Sequence, residues 1–268
     1  MTRPPRQIHT LQAPGVASGR YPPLVFVHGG CVHAGCWAPH FLPYFGQRGF
    51  ACRAVDLAGH GASEGRQQLD SFGIDDYADD VAQVVAGLDT PPILVGHSMG
   101  TVVVERFLER GEAAGAVLMA PVPPSGILGS TLRLALTTPT YFAEQQRAIR
   151  GDYSAQTLAL MREVYYSPDT PDDDLIRHAP LFQPESQRAL TELTLLALRF
   201  PRRRPQLPVL VVGGGSDALF PPSYLGFTAD RWAADRAVIP GVGHTMMLDA
   251  HWQPAAQRIA DWIDERFG

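Results

Sequence analysis

The chain has 268 residues, 45% of them hydrophobic and 18% charged, a composition that excludes disordered and fibrous proteins. At this length a single core buries about three quarters of the unfolded chain's surface, so one large domain with room for an inserted subdomain is expected. The net charge of −5 offers no general attraction to a nucleic-acid backbone or an anionic membrane, and because all 22 basic residues are Arg, Schiff-base, pyridoxal-phosphate, Walker A and kinase chemistry are excluded for want of a lysine amine.

In chain order, residues 1–10 are polar and Pro-rich without an apolar stretch, so no secretory leader is expected. Residues 7–10 and the Gly/Pro-rich stretch after them support at most one short hairpin. The first clear strand is predicted at 24–27, stopping at His28-Gly29-Gly30. A helix over 38–48, a strand over 51–56 and a tight Gly-rich loop over 57–63 follow. Tyr77, Val81, Val84, Val85 and Leu88 share one face of a helix expected over 75–88. A buried strand is expected over 93–96, a helix over 99–110 and a strand over 116–120. Residues 21–47 carry no Asp, Glu, Lys or Arg but are broken by Gly, Pro and His, so no membrane span is expected.

From about Pro123 to Pro205 the alternation of strand and helix stops. Short helices are predicted over 128–136, 139–149, 155–165, 172–178 and 186–200, separated by Pro and Gly. This divides the chain into a first core segment (1–122), a helical cap (123–205) and a second core segment (206–268). The last segment carries predicted strands over 209–212 and 237–239 and helices over 222–232 and 252–267. Alternating strands and helices point to a mostly parallel twisted sheet, an α/β fold with helices on both faces.

Gly96-His97-Ser98-Met99-Gly100 fits G-x-S-x-G between a predicted strand and a predicted helix, the context in which that short pattern is informative. The glycines leave room for a strained turn that lifts Ser98 above the sheet, at a helix N-terminus that favours an oxyanion. A serine hydroxyl needs a base, and the base an orienting carboxylate. Asp217 and His244 each follow a later predicted strand, so Ser98, Asp217 and His244 are the candidate catalytic residues. Asp56 precedes Ser98 and heads the Gly-rich turn, where it is expected to cap; Asp249 is expected to cap a helix. His28 and His97 are expected to pack loops. The backbone N–H groups of Gly30 and Met99 are the candidate oxyanion donors. Cys31, Trp37, Met161 and Met246 are the candidate substrate-binding residues.

Cys31, Cys36 and Cys52 are too few for a disulfide framework, which favours a reducing, cytoplasmic setting. Cys31, His33, Cys36 and His40 match no tetrahedral zinc spacing, so no metal is expected. Arg202-Arg203-Arg204 is read as a solvated linker at the cap boundary.

His28-Gly29-Gly30, Asp56-x-x-Gly59-His60-Gly61-x-Ser63, Gly96-His97-Ser98-Met99-Gly100 and the loops ending in Asp217 and Gly243-His244 together make the chain resemble the α/β-hydrolase family, from about Leu24 to the C-terminus. Within it the chain looks most similar to serine esterases and monoglyceride lipases with a G-H-S-M-G elbow. The resemblance implies an eight-stranded, mostly parallel sheet, a cap over the site and no cofactor. It also implies a small-molecule ester with a hydrophobic acyl chain or a small aromatic part, cleaved by a monomer or homodimer through an acyl-enzyme. A lactonase, C–C bond hydrolase, amidase, acyltransferase or proton-transferring lyase presents the same three residues, and a non-catalytic descendant would bind a ligand under the cap.

Overall fold

The computed structural model describes residues 6–13, 19–198 and 205–268. The expected helix end at 199–200 and the basic triplet Arg202-Arg203-Arg204 lie outside the described residues, as does part of the Gly/Pro-rich stretch. The first half of the chain gives β1 (Thr10–Gln12), β2 (Leu24–Val27), α1 (Phe41–Gln47), β3 (Cys52–Val55), α2 (Ile74–Val85), β4 (Ile93–His97), α3 (Met99–Leu108) and β5 (Gly115–Met119). Five helices then run without an intervening strand: α4 (Leu128–Thr137), α5 (Tyr141–Ile149), α6 (Ala155–Tyr165), α7 (Asp172–His178) and α8 (Gln187–Thr194). The chain returns to the sheet with β6 (Val209–Gly214), α9 (Leu225–Trp232), β7 (Asp235–Ile239) and α10 (Trp252–Phe267).

The sheet has seven strands among the described residues, in the order β1-β3-β2-β4-β5-β6-β7, one fewer than the family resemblance implied. All pairs are parallel except β1 with β3. The single N-terminal strand is short because only Thr10, Leu11 and Gln12 find partners, opposite Val55, Ala54 and Arg53. The central strands are buried on both faces, which is why they read as unbroken apolar runs rather than alternating ones. Phe26, Val95, Val117 and Val212 face α1 and α10 in one core layer, and Val27, Leu94, Leu118 and Val211 face α2, α3 and α9 in the other.

Beyond β2 the chain turns to β3 on one side, and from β4 it continues to β5 on the other. The strand order therefore reverses between β2 and β4, and open α/β sheets place their ligands at the carboxyl ends of strands at such a switch point. Among the described residues no helix is long and apolar enough to cross a membrane. Cys31, Cys36 and Cys52 are unpaired thiols, and burial pushes those of Cys31 and Cys52 up to about 12.

Candidate active site

Ser98 is placed by the tight crossing of β4 into α3. A Cβ on Gly96 would lie 2.5 Å from the Gly100 carbonyl oxygen, and one on Gly100 would lie 2.4 Å from the Val27 carbonyl oxygen. Only hydrogen fits at either position, so the strand and helix approach more closely than any side chain allows. Between them Ser98 holds φ 51° and ψ −119°, a conformation that costs a non-glycine residue energy. Its surroundings hold it there: its N–H donates to the Met119 carbonyl at 3.0 Å, and its own carbonyl accepts from the Thr101 hydroxyl at 2.6 Å. Ser98 thus precedes α3, whose first N–H groups, beginning with Met99, have no acceptor one turn earlier.

Because β2 pairs with β4, with Val27 opposite Gly96, the turn His28-Gly29-Gly30 emerges beside Ser98. A Cβ on Gly29 would stand 3.0 Å from that of Ser98. On the other side β6 and β7 run in register, Gly214 opposite Ile239, and the loops after them bring Asp217 to His244. The Ser98 hydroxyl lies 3.0 Å from His244 Nε2, and His244 Nδ1 lies 2.8 Å from Asp217 Oδ2. A carboxylate only accepts, so Nδ1 carries the proton donated to Asp217 and Nε2 is left as acceptor for the serine. The other oxygen of Asp217 accepts the N–H groups of Leu219 and Phe220 at 2.9 and 2.7 Å, which fixes the carboxylate. The Phe220 ring meets the imidazole edge-on at 5.3 Å.

His28 and His97 are fully enclosed, and burial pushes both down to about 3. His28 donates from Nδ1 to the Gly29 carbonyl at 2.8 Å and accepts the Leu57 N–H on Nε2 at 3.1 Å, a neutral ring that ties the β2 turn to the β3 loop. His97 donates from Nε2 to the His244 carbonyl at 3.0 Å. Asp56 accepts N–H groups from Ala34 and Ala62 at 2.8 and 3.0 Å and so organises two loops. Asp249 caps no helix with its side chain; its carboxylate receives the N–H groups of Ser167, Gly243 and His251.

Ser98 and His244 open into a cavity of about 560 Å³ between the strand ends and helices α4, α5, α6 and α8. Its wall is mostly apolar, with Leu134, Leu160, Phe182 and Leu193 prominent. Of the candidate substrate-binding residues, Cys31 and Met161 line it and the other two do not. Trp37 is fully buried beneath the site, 5.0 Å from the Phe26 ring and edge-on to His97 at 6.4 Å. Met246 packs into the core, because in the turn after His244 it is Met247 that the chain directs to the cavity. Side-chain direction in irregular loops has no periodicity from which it can be read. Among the described residues no cluster of three or more His, Cys, Asp or Glu is placed to hold a metal, and His33 Nδ1 is occupied by the Gly35 N–H.

A sequence profile described as the alpha/beta hydrolase family matches residues 24–258. The chain belongs to this family. A bifunctional esterase/perhydrolase of Acinetobacter calcoaceticus is 38% identical over 107 residues, a stretch that is 38% of this chain and 38% of that protein. Two solved structures share the fold of this alpha/beta hydrolase. An esterase from Exiguobacterium antarcticum superposes with TM-score 0.75 at 17% identity, covering 97% of this chain and 96% of its own. A bromoperoxidase from Bacillus anthracis gives TM-score 0.73 at 19% identity, covering 98% and 97%.

One polar residue of this alpha/beta hydrolase stands at the site without any signal in the sequence pattern, and its partner, His60, is known from the sequence only as part of the Gly-rich turn after β3. Glu185, just before α8, lines the cavity, yet its carboxylate is fully enclosed and meets His60 Nε2 at 3.1 Å. They are 125 residues apart, and a lone carboxylate before a helix-capping serine reads as solvated surface until the fold brings its partner to it.

Proposed function

We propose that this alpha/beta hydrolase cleaves carboxylic esters with a hydrophobic acyl chain or a small aromatic part, through a Ser98–His244–Asp217 triad and an acyl-enzyme. The observation that carries the reading is the unbroken line of contacts from the Ser98 hydroxyl to His244, 3.0 Å, and on to Asp217, 2.8 Å. His244 Nε2 takes the hydroxyl proton as Ser98 Oγ bonds to the ester carbonyl carbon, and Asp217 stabilises the imidazolium that forms. The Gly30 and Met99 N–H groups are the donors for the oxyanion, reinforced by the α3 dipole. Collapse breaks the bond to the alcohol oxygen, which leaves with the proton from His244. Water then loses a proton to the same nitrogen as it attacks the acyl carbon, and collapse breaks the bond to Ser98 Oγ, which takes that proton from His244 as the acid leaves. Helices α4 to α8 form the cap, and the apolar wall they share with the core suits an acyl chain better than a charged substrate.

The test is hydrolysis of p-nitrophenyl esters from acetate to palmitate by the wild-type chain and Ser98→Ala, with fluorophosphonate labelling located by mass spectrometry. The expected result is labelling at Ser98 and loss of about 10³-fold or more in kcat for Ser98→Ala. Ligand binding in the cavity without labelling or turnover would instead make the chain a binding protein.

A further inference from the structure

The turn that follows β2 contains two glycines and then Cys31, which sits at φ 62° in the left-handed region that a β-carbon disfavours. Glycines at 29 and 30 leave this turn intrinsically loose, so something outside it has to set the orientation of its peptides. The two backbone polar groups of Cys31 both go to one short segment of the helical insertion. Its carbonyl accepts the Gln183 N–H at 2.9 Å, and its own N–H donates to Glu185 Oε2 at 3.3 Å. The Gln183 side chain reaches to either side, donating to the Val32 carbonyl and accepting the Gly61 N–H, each at 3.3 Å.

Glu185 is itself anchored in the core. Its Oε1 accepts the Tyr77 hydroxyl at 2.8 Å and the Ser186 N–H at 2.7 Å, while Oε2 faces His60 Nε2. His60 Nδ1 lies 3.1 Å from the Ala58 carbonyl, so both ring nitrogens face acceptors, the arrangement that suits an imidazolium. Burial on its own would raise the Glu185 carboxyl, but the His60 charge and the three hydrogen bonds hold it below the usual range. The carboxylate lies directly against the turn: a Cβ on Gly30 would be 3.6 Å from Oε2.

We propose that Glu185 is a positioning residue for ester hydrolysis: carried by the inserted helices and braced by His60 and Tyr77, it holds the Cys31 N–H, and so pins the far end of the Gly29–Gly30 turn whose preceding peptide aims the Gly30 N–H at the oxyanion. The insertion then does more than cover the cavity; it completes the oxyanion site. By drawing the Cys31 N–H to itself, the carboxylate also leaves Gly30 as the donor of this turn. The inference rests on the hydrolase reading above and goes beyond it, because the hydrogen bonds of Glu185 go to Cys31, His60, Tyr77 and Ser186 and to none of Ser98, His244 or Asp217.

The test compares wild type, Glu185→Ala and Glu185→Gln as full chains on p-nitrophenyl butyrate, with active sites counted by stoichiometric phosphonate titration. A misaimed donor is felt in the transition state and little in ground-state binding. The expected result is kcat per titrated site lower by about 10²-fold in Glu185→Ala with KM within about threefold, and a smaller loss in Glu185→Gln, whose single amide oxygen serves either the Cys31 N–H or the Ser186 N–H and Tyr77 hydroxyl but not both sets. Affinity for a boronic acid that mimics the tetrahedral intermediate falls in parallel with kcat/KM. Should Glu185→Ala not fold, Glu185→Gln decides alone. Unchanged kcat per site in the variants, or a loss confined to KM, overturns the clamp while leaving the hydrolase reading intact. Absence of Ser98-dependent turnover in the wild type overturns that reading instead.

Discussion

Asp249 shows how much a single buried carboxylate can hold in this molecule. It has no exposed surface, and it receives the N–H groups of Ser167 at 2.7 Å, Gly243 at 3.0 Å and His251 at 2.9 Å. Ser167 follows α6 and Gly243 precedes His244, so this one side chain joins the helical insertion to the loop that carries His244. The Tyr165 carbonyl reinforces the join by accepting both the N–H and the hydroxyl of Thr245 at 2.8 Å. Asp249→Ala would strand three backbone donors, two of them deep, and each unsatisfied donor costs on the order of 1–3 kcal/mol. The expected outcome is a loss of about 3 kcal/mol in urea unfolding and a fall in kcat as the His244 loop loosens. Asp249→Asn, which keeps an accepting oxygen, recovers part of both. An unfolding midpoint unmoved by Asp249→Ala would show that water replaces the carboxylate without cost.

At the scale of the element, the β4–α3 crossing is held by close backbone approach rather than by side chains. Gly100→Ala puts a methyl 2.4 Å from the Val27 carbonyl oxygen and 2.6 Å from that of His28. Neither carbonyl can move without shifting β2, so a destabilisation of about 3 kcal/mol and a misplaced Ser98 are expected. Gly129, inside α4, meets nothing within 4 Å. There the same substitution is expected to stabilise by about 0.5–1 kcal/mol through helix propensity alone. Thermal or urea unfolding of the pair checks the contrast, and equal effects at both positions would refute it. Glycines whose role is a local crossing are legible in sequence, because the strand run before Gly96 and the helical pattern after Gly100 are themselves local. The bounds of α6 and α7 were legible for the same reason, each being framed by turn residues, with Ser154 capping α6 and Pro171 standing just before α7. Other bounds shifted where the last or first turn tightened. The helix expected over 38–48 begins at Phe41 behind a 3-10 turn at Ala34–Trp37, and α8 gives way to another at Leu196–Leu198. What no local pattern carries is a partner far along the chain: β1 exists only through pairing with β3, and Glu185 has meaning only beside His60.

Over the whole molecule, enclosed histidines link folding to pH. Burial holds His28 and His97 down to about 3 and His178 down to about 4, so all three are neutral in the folded chain near pH 5.5. Once unfolded, each takes a proton near pH 6.5. Asp80 acts in the opposite sense: burial pushes it up to about 6 against the pull of Arg6 and the Ala58 N–H, so there the folded chain holds the extra proton. Three protons gained on unfolding less one released leaves about two more on the unfolded chain. Stability therefore rises with pH in this range, and acidification from about pH 6 to pH 5 is expected to remove roughly 2.7 kcal/mol. His60 limits the gain on the alkaline side. Burial disfavours its charge, but the Glu185 carboxylate outweighs burial and raises it above its ordinary value. Its contribution is complete below about pH 6.5 and is lost as pH rises through that raised folded value. Stability should accordingly pass through a maximum near neutrality, with His60→Gln flattening the alkaline limb and leaving the acid limb in place. Urea midpoints measured from pH 5 to pH 8 at constant ionic strength decide the matter. A midpoint level from pH 7 down to pH 5 would mean that the buried rings take up protons without unfolding.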